Sequence, residues 1–182
     1  MLVRMKEVRL KVASLRLFAP ACTVSFALKH YAPAVRDGVI DPSAFHIHVP
    51  SDANELDDLV GPYRKSLLYL VSRAFEDVHK MPLLGMVQAF EPNSIGLNAA
   101  DGIWATSKHP DVRKWQEFWA SSGAALPGNP EVLKALTASN GTRMEKSTHG
   151  CFDNAAEIMG RALGSIVKPA EPTKITIARL DY

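Results

Sequence analysis

The 182-residue chain is poor in the features that mark specialised proteins. It has two cysteines, Cys22 and Cys151, too few for a disulfide framework. That excludes the small stapled secreted scaffolds and makes a reduced, cytoplasmic setting the expectation. No run of like charge exceeds a few residues, and the formal net charge is only +2. The composition therefore carries no footprint for nucleic acid or an anionic membrane, and neither is expected as a partner. No apolar stretch is long enough to span a bilayer; "SLLYLVSRAF" is short and flanked by charge. The opening "MLVRMKEVRLKV" has neither a continuous apolar core nor a small-residue cleavage site, so it does not read as a secretory signal. Internal repeats and low-complexity tracts are absent as well.

What the chain does have is 47% apolar residues, enough at this length for one sizeable core and a single domain over 1–182. "SLRLFAPA" (14–21) is a short apolar run stopped by Pro20 and reads as a buried strand. "CTVSFALKHYAPAV" follows with helical spacing, and "DGVIDPSA" is turn chemistry. "FHIHV" (45–49) is aromatic and β-branched and reads as a strand ended by Pro50. In "YRKSLLYLVSRAFEDV" the apolar positions Leu67, Val71, Ala74 and Val78 repeat with helical period. "MPLLGMVQAF" reads as a further strand, while "MKEVRLKV" fits helix or strand equally. Strands separated by helix-length spacers imply βαβ units in 13–90 and a short, mostly parallel sheet, with crossover helices on its two faces.

Residues 91–141 change character, with Pro, Gly, Ser and Trp in place of the earlier alternation. One helix is expected there, over 110–120, bearing Trp115, Phe118 and Trp119. The segment reads as an insertion over one sheet edge whose tryptophans form a small core of their own. In 142–182, "TRMEKS" is a candidate strand and His149 sits in a loop. Asp153 caps a closing helix to Ile166, and "TKITIARLDY" is a final strand or tail.

Titratable groups follow two of these strands. "SDANELDDLVG" carries Asp52, Glu55, Asp57 and Asp58, and the second place is His149. In open α/β sheets the ligand crevice lies beyond the carboxyl ends of the strands, so both loops can meet there. A carboxylate behind a histidine accepts its Nδ1–H, fixes the tautomer and stabilises the imidazolium, leaving the other nitrogen to take a proton. The plain alternatives are a solvated acidic loop before a helix and a surface or capping histidine.

The pieces "SLRLFAPA", "FHIHVPSDANELDDLVG", "YRKSLLYLVSRAFE", "PLLGM" and "THGCFDN" together resemble the C-terminal half of an α/β-hydrolase, over roughly residues 13–166. The resemblance implies a partial three-layer α/β/α fold and the chain order nucleophile, acid, histidine. It makes "SLRLFAPA" the strand after the nucleophile's helix and "FHIHV" the acid-bearing strand. By the match of "DDLV" to the family's Asp-x-x-Val segment, Asp57 is the first choice of acid, with Asp58 and Asp52 behind it. His149 becomes the base of a serine hydrolase triad acting on a small ester or amide, with no cofactor. One part is missing: no serine or cysteine has glycines two residues before and two after, as the nucleophile elbow G-x-S-x-G requires. The expectation is a fragment or mis-started frame of a longer hydrolase, or the second half of a split one. It would be inactive alone and prone to self-association through an exposed sheet edge.

Three rivals remain. His46 and His48 share one face of a strand and, with Asp52 or Asp57 and His149, would make a metal-dependent hydrolase. "THGC" resembles a caspase-like loop, but Cys151 and Cys22 are in the wrong order for that chemistry. A non-enzymatic interaction module would use the Trp-rich span Trp104–Trp119 as its partner surface.

Overall fold

In a computed structural model of the chain, the described residues are 1–50, 55, 56, 58, 62, 65–90, 109–123, 131–133, 163 and 164. They form a mixed α/β fold. Helix α1 (Leu2–Glu7) precedes strand β1 (Leu15–Phe18), helix α2 (Val24–Arg36) and strand β2 (Phe45–Pro50). Helix α3 (Leu67–Ala74), helix α4 (Pro110–Gly123) and strand β3 (Glu131–Leu133) follow. Short 3-10 turns lie at Pro42–Ala44 and Val87–Ala89. The ambiguity of the N-terminal segment is thus resolved as helix, followed by one parallel bridge from Val12 to Ile40.

Local chemistry explains the βαβ unit. Thr23 stands at the N-cap of α2, where its Oγ1 accepts the Phe26 N–H at 3.0 Å, relieving one of the orphan donors of the first turn. Gly38, at φ +69°, lets the chain reverse after Arg36 in a conformation that penalises a side chain. Asp41 then caps the 3-10 turn, its Oδ1 accepting both the Ser43 N–H at 2.9 Å and the Ser43 hydroxyl at 2.7 Å. β1 and β2 pair in parallel with Leu15 opposite Phe45 and Phe18 opposite His48. β3 joins the other side of β2 in parallel, with Val132 opposite Val49.

The strand order is β1-β2-β3. The strands are joined by helical connections, of which α2 and α4 pack against each other, and the Ser25 hydroxyl donates to Asp111 Oδ2 at 2.5 Å between them.

The main core gathers Phe45, Ile47 and Val49 of β2 with Val24, Ala27 and Val35 of α2 and with Trp115, Phe118 and Trp119 of α4. The spacing of the last three puts them on one helical stripe. Trp119 meets the rings of Phe45 at 5.9 Å and Phe90 at 5.2 Å, near edge-on. Trp115 and Trp119 therefore do not form a separate core, because the stripe of α4 lies within reach of the sheet; Trp104 lies outside the described residues. Burying a ring such as Trp115 removes roughly 150–250 Å² from water, or about 5 kcal/mol of transfer free energy.

Two further expectations are revised. Residues 81–90 are not a strand: Leu83 makes an isolated antiparallel bridge to Thr23, and the chain then turns into the 3-10 segment. Helix α3 also buries a different face from the one its period suggests. Leu68, Tyr69 and Ser72 point inward, while Leu67 is 48% exposed and Val78 lies past the helix end. Two serines set that face. Ser66 Oγ accepts the Tyr69 N–H at 3.2 Å, and the Ser72 hydroxyl donates to the Met81 carbonyl at 2.6 Å.

Candidate functional site

The carboxyl end of β1 is the best-defined rim of the sheet. The Ala19 N–H still reaches the His48 carbonyl of β2 at 2.8 Å, but Ala19 itself turns to φ +38°. A non-glycine residue in this left-handed region is strained, by about 1–2 kcal/mol. The returning segment holds it there. Gly85 N–H donates to the Pro20 carbonyl at 2.8 Å and Leu84 N–H to the Cys22 carbonyl at 2.9 Å. Gly85 approaches so closely that a Cβ would sit 2.7 Å from Pro20 N and 2.8 Å from Ala19 O. A second apolar cluster closes over this turn, made of Ala19, Leu68, Tyr69, Leu83 and Met86, with Phe18, Leu56 and Val71 against it.

The acidic segment enters the same cluster. Leu56 packs into it, and its neighbour Glu55 is 2% exposed. The Glu55 carbonyl accepts the N–H of Ser66, the N-cap of α3, at 3.0 Å, which fixes the segment to the start of that helix. Asp58 is also buried, at 8% exposed. Carboxylates are kept out of water only when something compensates the lost hydration, and neither of these stands alone. The solvated-loop alternative does not hold for them. Of the four expected site residues, Asp58 is the one the structure describes; Asp57, Asp52 and His149 lie outside the described residues. Glu55 was passed over in favour of its neighbours. Its spacing of three from Asp58 was the available signal, since residues three apart share a face in a helical turn.

On the opposite face of β2 from Phe45, Ile47 and Val49 stand His46 and His48. His48 is fully buried and stacks on Phe18, its register partner, with ring centroids 4.8 Å apart and planes 11° apart. His46 and His48 have centroids 6.5 Å apart. Among the described residues no three His, Cys, Asp or Glu side chains are grouped as a metal site requires. Cys22, in the strand-to-helix turn after β1, has its thiol pushed up from the ordinary value by burial, opposed more weakly by a backbone hydrogen bond. A raised thiol lacks the thiolate character of a nucleophile.

Two concavities lie elsewhere. One of about 550 Å³ is between α1 and α2, and one of about 610 Å³ is between α2 and α4. Neither is lined by Glu55 or Asp58. No helix among the described residues is long and apolar enough to cross a membrane.

No protein-family model matches the chain, and neither a curated protein nor a solved structure was found similar to it. The functional reading therefore rests on the rim itself. What the segment after β2 offers chemically is two buried carboxylates, Glu55 and Asp58, the first next to Leu56 in the cluster over the strained turn. Such groups can orient and charge-stabilise a base brought to them.

Proposed function

We propose that the chain is the acid-and-histidine portion of a serine α/β-hydrolase. The observation that carries this reading is the burial of Asp58 in the acidic segment that follows β2. β2 is the middle strand of the parallel set among the described residues, and His149 lies downstream of β3 in sequence. The hydrolase arrangement asks for that order: acid after the penultimate strand, histidine after a later one. In this reading Asp58 takes the orienting role first assigned to Asp57. Its carboxylate accepts the Nδ1–H of His149, and Nε2 of His149 is the base. Layers on both faces of the sheet make the fold a partial α/β/α sandwich. The substrate is a small ester or amide, the nucleophile comes from a separate segment, and the chain alone hydrolyses nothing. Self-association through the sheet edge belongs to the same reading.

The test is the titration of His149 by NMR in the wild type and in Asp58→Asn and Asp57→Asn. A paired carboxylate favours the imidazolium, so the wild-type His149 titrates above the ordinary value of about 6.5 and falls back in Asp58→Asn. Loss of the effect in Asp57→Asn instead moves the acid by one residue. No change in either variant or in Asp52→Asn refutes the dyad.

The interaction-module reading has less support from the described part of its span. Trp115 and Trp119 are 0% and 5% exposed, spent on the core, and Trp104 lies outside the described residues.

A further inference from the structure

Large apolar side chains exposed among the described residues are concentrated at the start of the chain. Val3, Val8 and Leu10 are 69%, 48% and 57% exposed, and Met1 is almost wholly so. The reason is visible in the packing of α1. Leu2 and Met5, three apart, turn inward against the main core and anchor the helix beside α2. The other apolar side chains of this segment stay exposed. Phe26, on the outer side of α2 and 44% exposed, lines the same concavity as Met1 and Val3.

Cations interleave with this apolar surface. Arg4, Lys6, Arg9, Lys11 and Lys29 are all exposed, and Lys6 and Lys29 line the concavity beside Phe26. Among the described residues two of the five form ion pairs, Arg4 with Glu7 at 2.6 Å and Lys6 with Asp37 at 2.9 Å, while Lys11 acts on the Asp41 carboxylate at longer range. Arg9, Lys11 and Lys29 have no ion pair among the described residues. A near-neutral chain thus has a local excess of positive charge, invisible in its totals, placed where its unburied apolar groups are.

We propose that this face, residues 1–11 with the outer side of α2, docks on an anionic lipid surface. Charge complementarity and exposed apolar area together select that occupant. Lys and Arg meet the headgroups while Val3, Val8, Leu10 and Phe26 enter the boundary with the acyl chains. Nucleic acid would use the cations and leave the apolar groups in water. This replaces the expectation of no membrane partner, which rested on total charge and on spanning length. It is also independent of the hydrolase reading, since none of these residues touches the rim.

The full chain is to be floated with vesicles of phosphatidylcholine alone and with vesicles carrying about a quarter phosphatidylserine. Partition into the anionic vesicles is expected to exceed that into neutral ones by at least about tenfold and to weaken with added salt. Arg9→Gln with Lys11→Gln lowers it by roughly twentyfold, because each basic residue at such a surface is worth about fivefold. Val3→Ser with Leu10→Ser and Phe26→Ser lowers it by about tenfold or more. These side chains are exposed, so an unchanged thermal midpoint in both variants verifies the fold. Equal or absent partition into the two vesicle types overturns the proposal. So does duplex DNA binding that the charge variant loses and the apolar variant keeps, with no gain on anionic vesicles.

Discussion

Gly85→Ala is the sharpest test of how the rim is built. Gly85 is not in a left-handed conformation, so the substitution is a matter of space. The new Cβ would meet Pro20 N at 2.7 Å and Ala19 O at 2.8 Å, with the Ala19 carbonyl carbon nearest of all. Every one of these atoms is backbone, so none can swing away. The two segments must separate by several tenths of an ångström, which forces an overpacking cost of about 1–3 kcal/mol. Separation also stretches the 2.8 Å bond from Gly85 N–H to the Pro20 carbonyl, worth about 0.5–1.5 kcal/mol. The sum is about 2–4 kcal/mol, a drop in thermal midpoint of roughly 4–16 °C for a chain of this size. Gly38→Ala is the control. It has nothing within 4 Å of its Cβ, but φ is +69°, so it costs about 1–2 kcal/mol by conformation alone. Urea denaturation of both variants decides. If Gly85→Ala costs less than Gly38→Ala, the close approach that shapes the turn after β1 is not real.

Other substitutions probe the rest of the account. Trp115→Ala removes a fully buried ring from the main core and is expected to cost about 3–5 kcal/mol by chemical denaturation, whereas a separate insertion core would leave the main transition unmoved. Ser66→Ala removes the α3 cap and is expected to cost about 1 kcal/mol. The Asp41 carboxyl is held below its ordinary value of 3.8, chiefly by the Ser43 hydroxyl and then by the Ser43 N–H. Its contribution is present above that value and lost as pH falls through the lower folded one, so Asp41→Asn flattens the acid limb of a stability-versus-pH curve. Glu76 is shifted the other way, raised by burial and then by Asp77. Its protonated form suits the fold, stability is lost as pH rises through the raised value, and Glu76→Gln is expected to stabilise at neutral pH.

The β1-α2-β2 unit was legible because its signals are local: a short apolar run stopped by proline, helical spacing, turn residues and an aromatic, β-branched strand. The face of α3 was not. Period alone could not choose between Leu67 and Leu68, and the choice is made by Ser66 and by a bond from Ser72 to Met81, nine residues on. "MPLLGMVQAF" has the composition of a strand, yet it crosses the end of β1, where Gly85 must fit against Ala19. Nothing within that segment announces the crossing. The strand β3 at Glu131–Leu133 was hidden in a Pro- and Gly-rich span, since three residues are too few to show alternation. For the site, its place after a strand drew attention to the acidic segment, and the α/β-hydrolase resemblance ranked Asp57 first. Burial, which depends on the cluster around Leu56, points to Glu55 and Asp58.

The central claim is that the acidic segment after β2 and the loop bearing His149 converge on one rim. A crystal structure of the chain measures it directly. The account predicts an imidazole nitrogen of His149 within about 2.6–3.2 Å of a carboxylate oxygen of Asp58, or at one water's remove. A His149 ring turned away from Asp58, Asp57 and Asp52 alike, well beyond that reach, contradicts it.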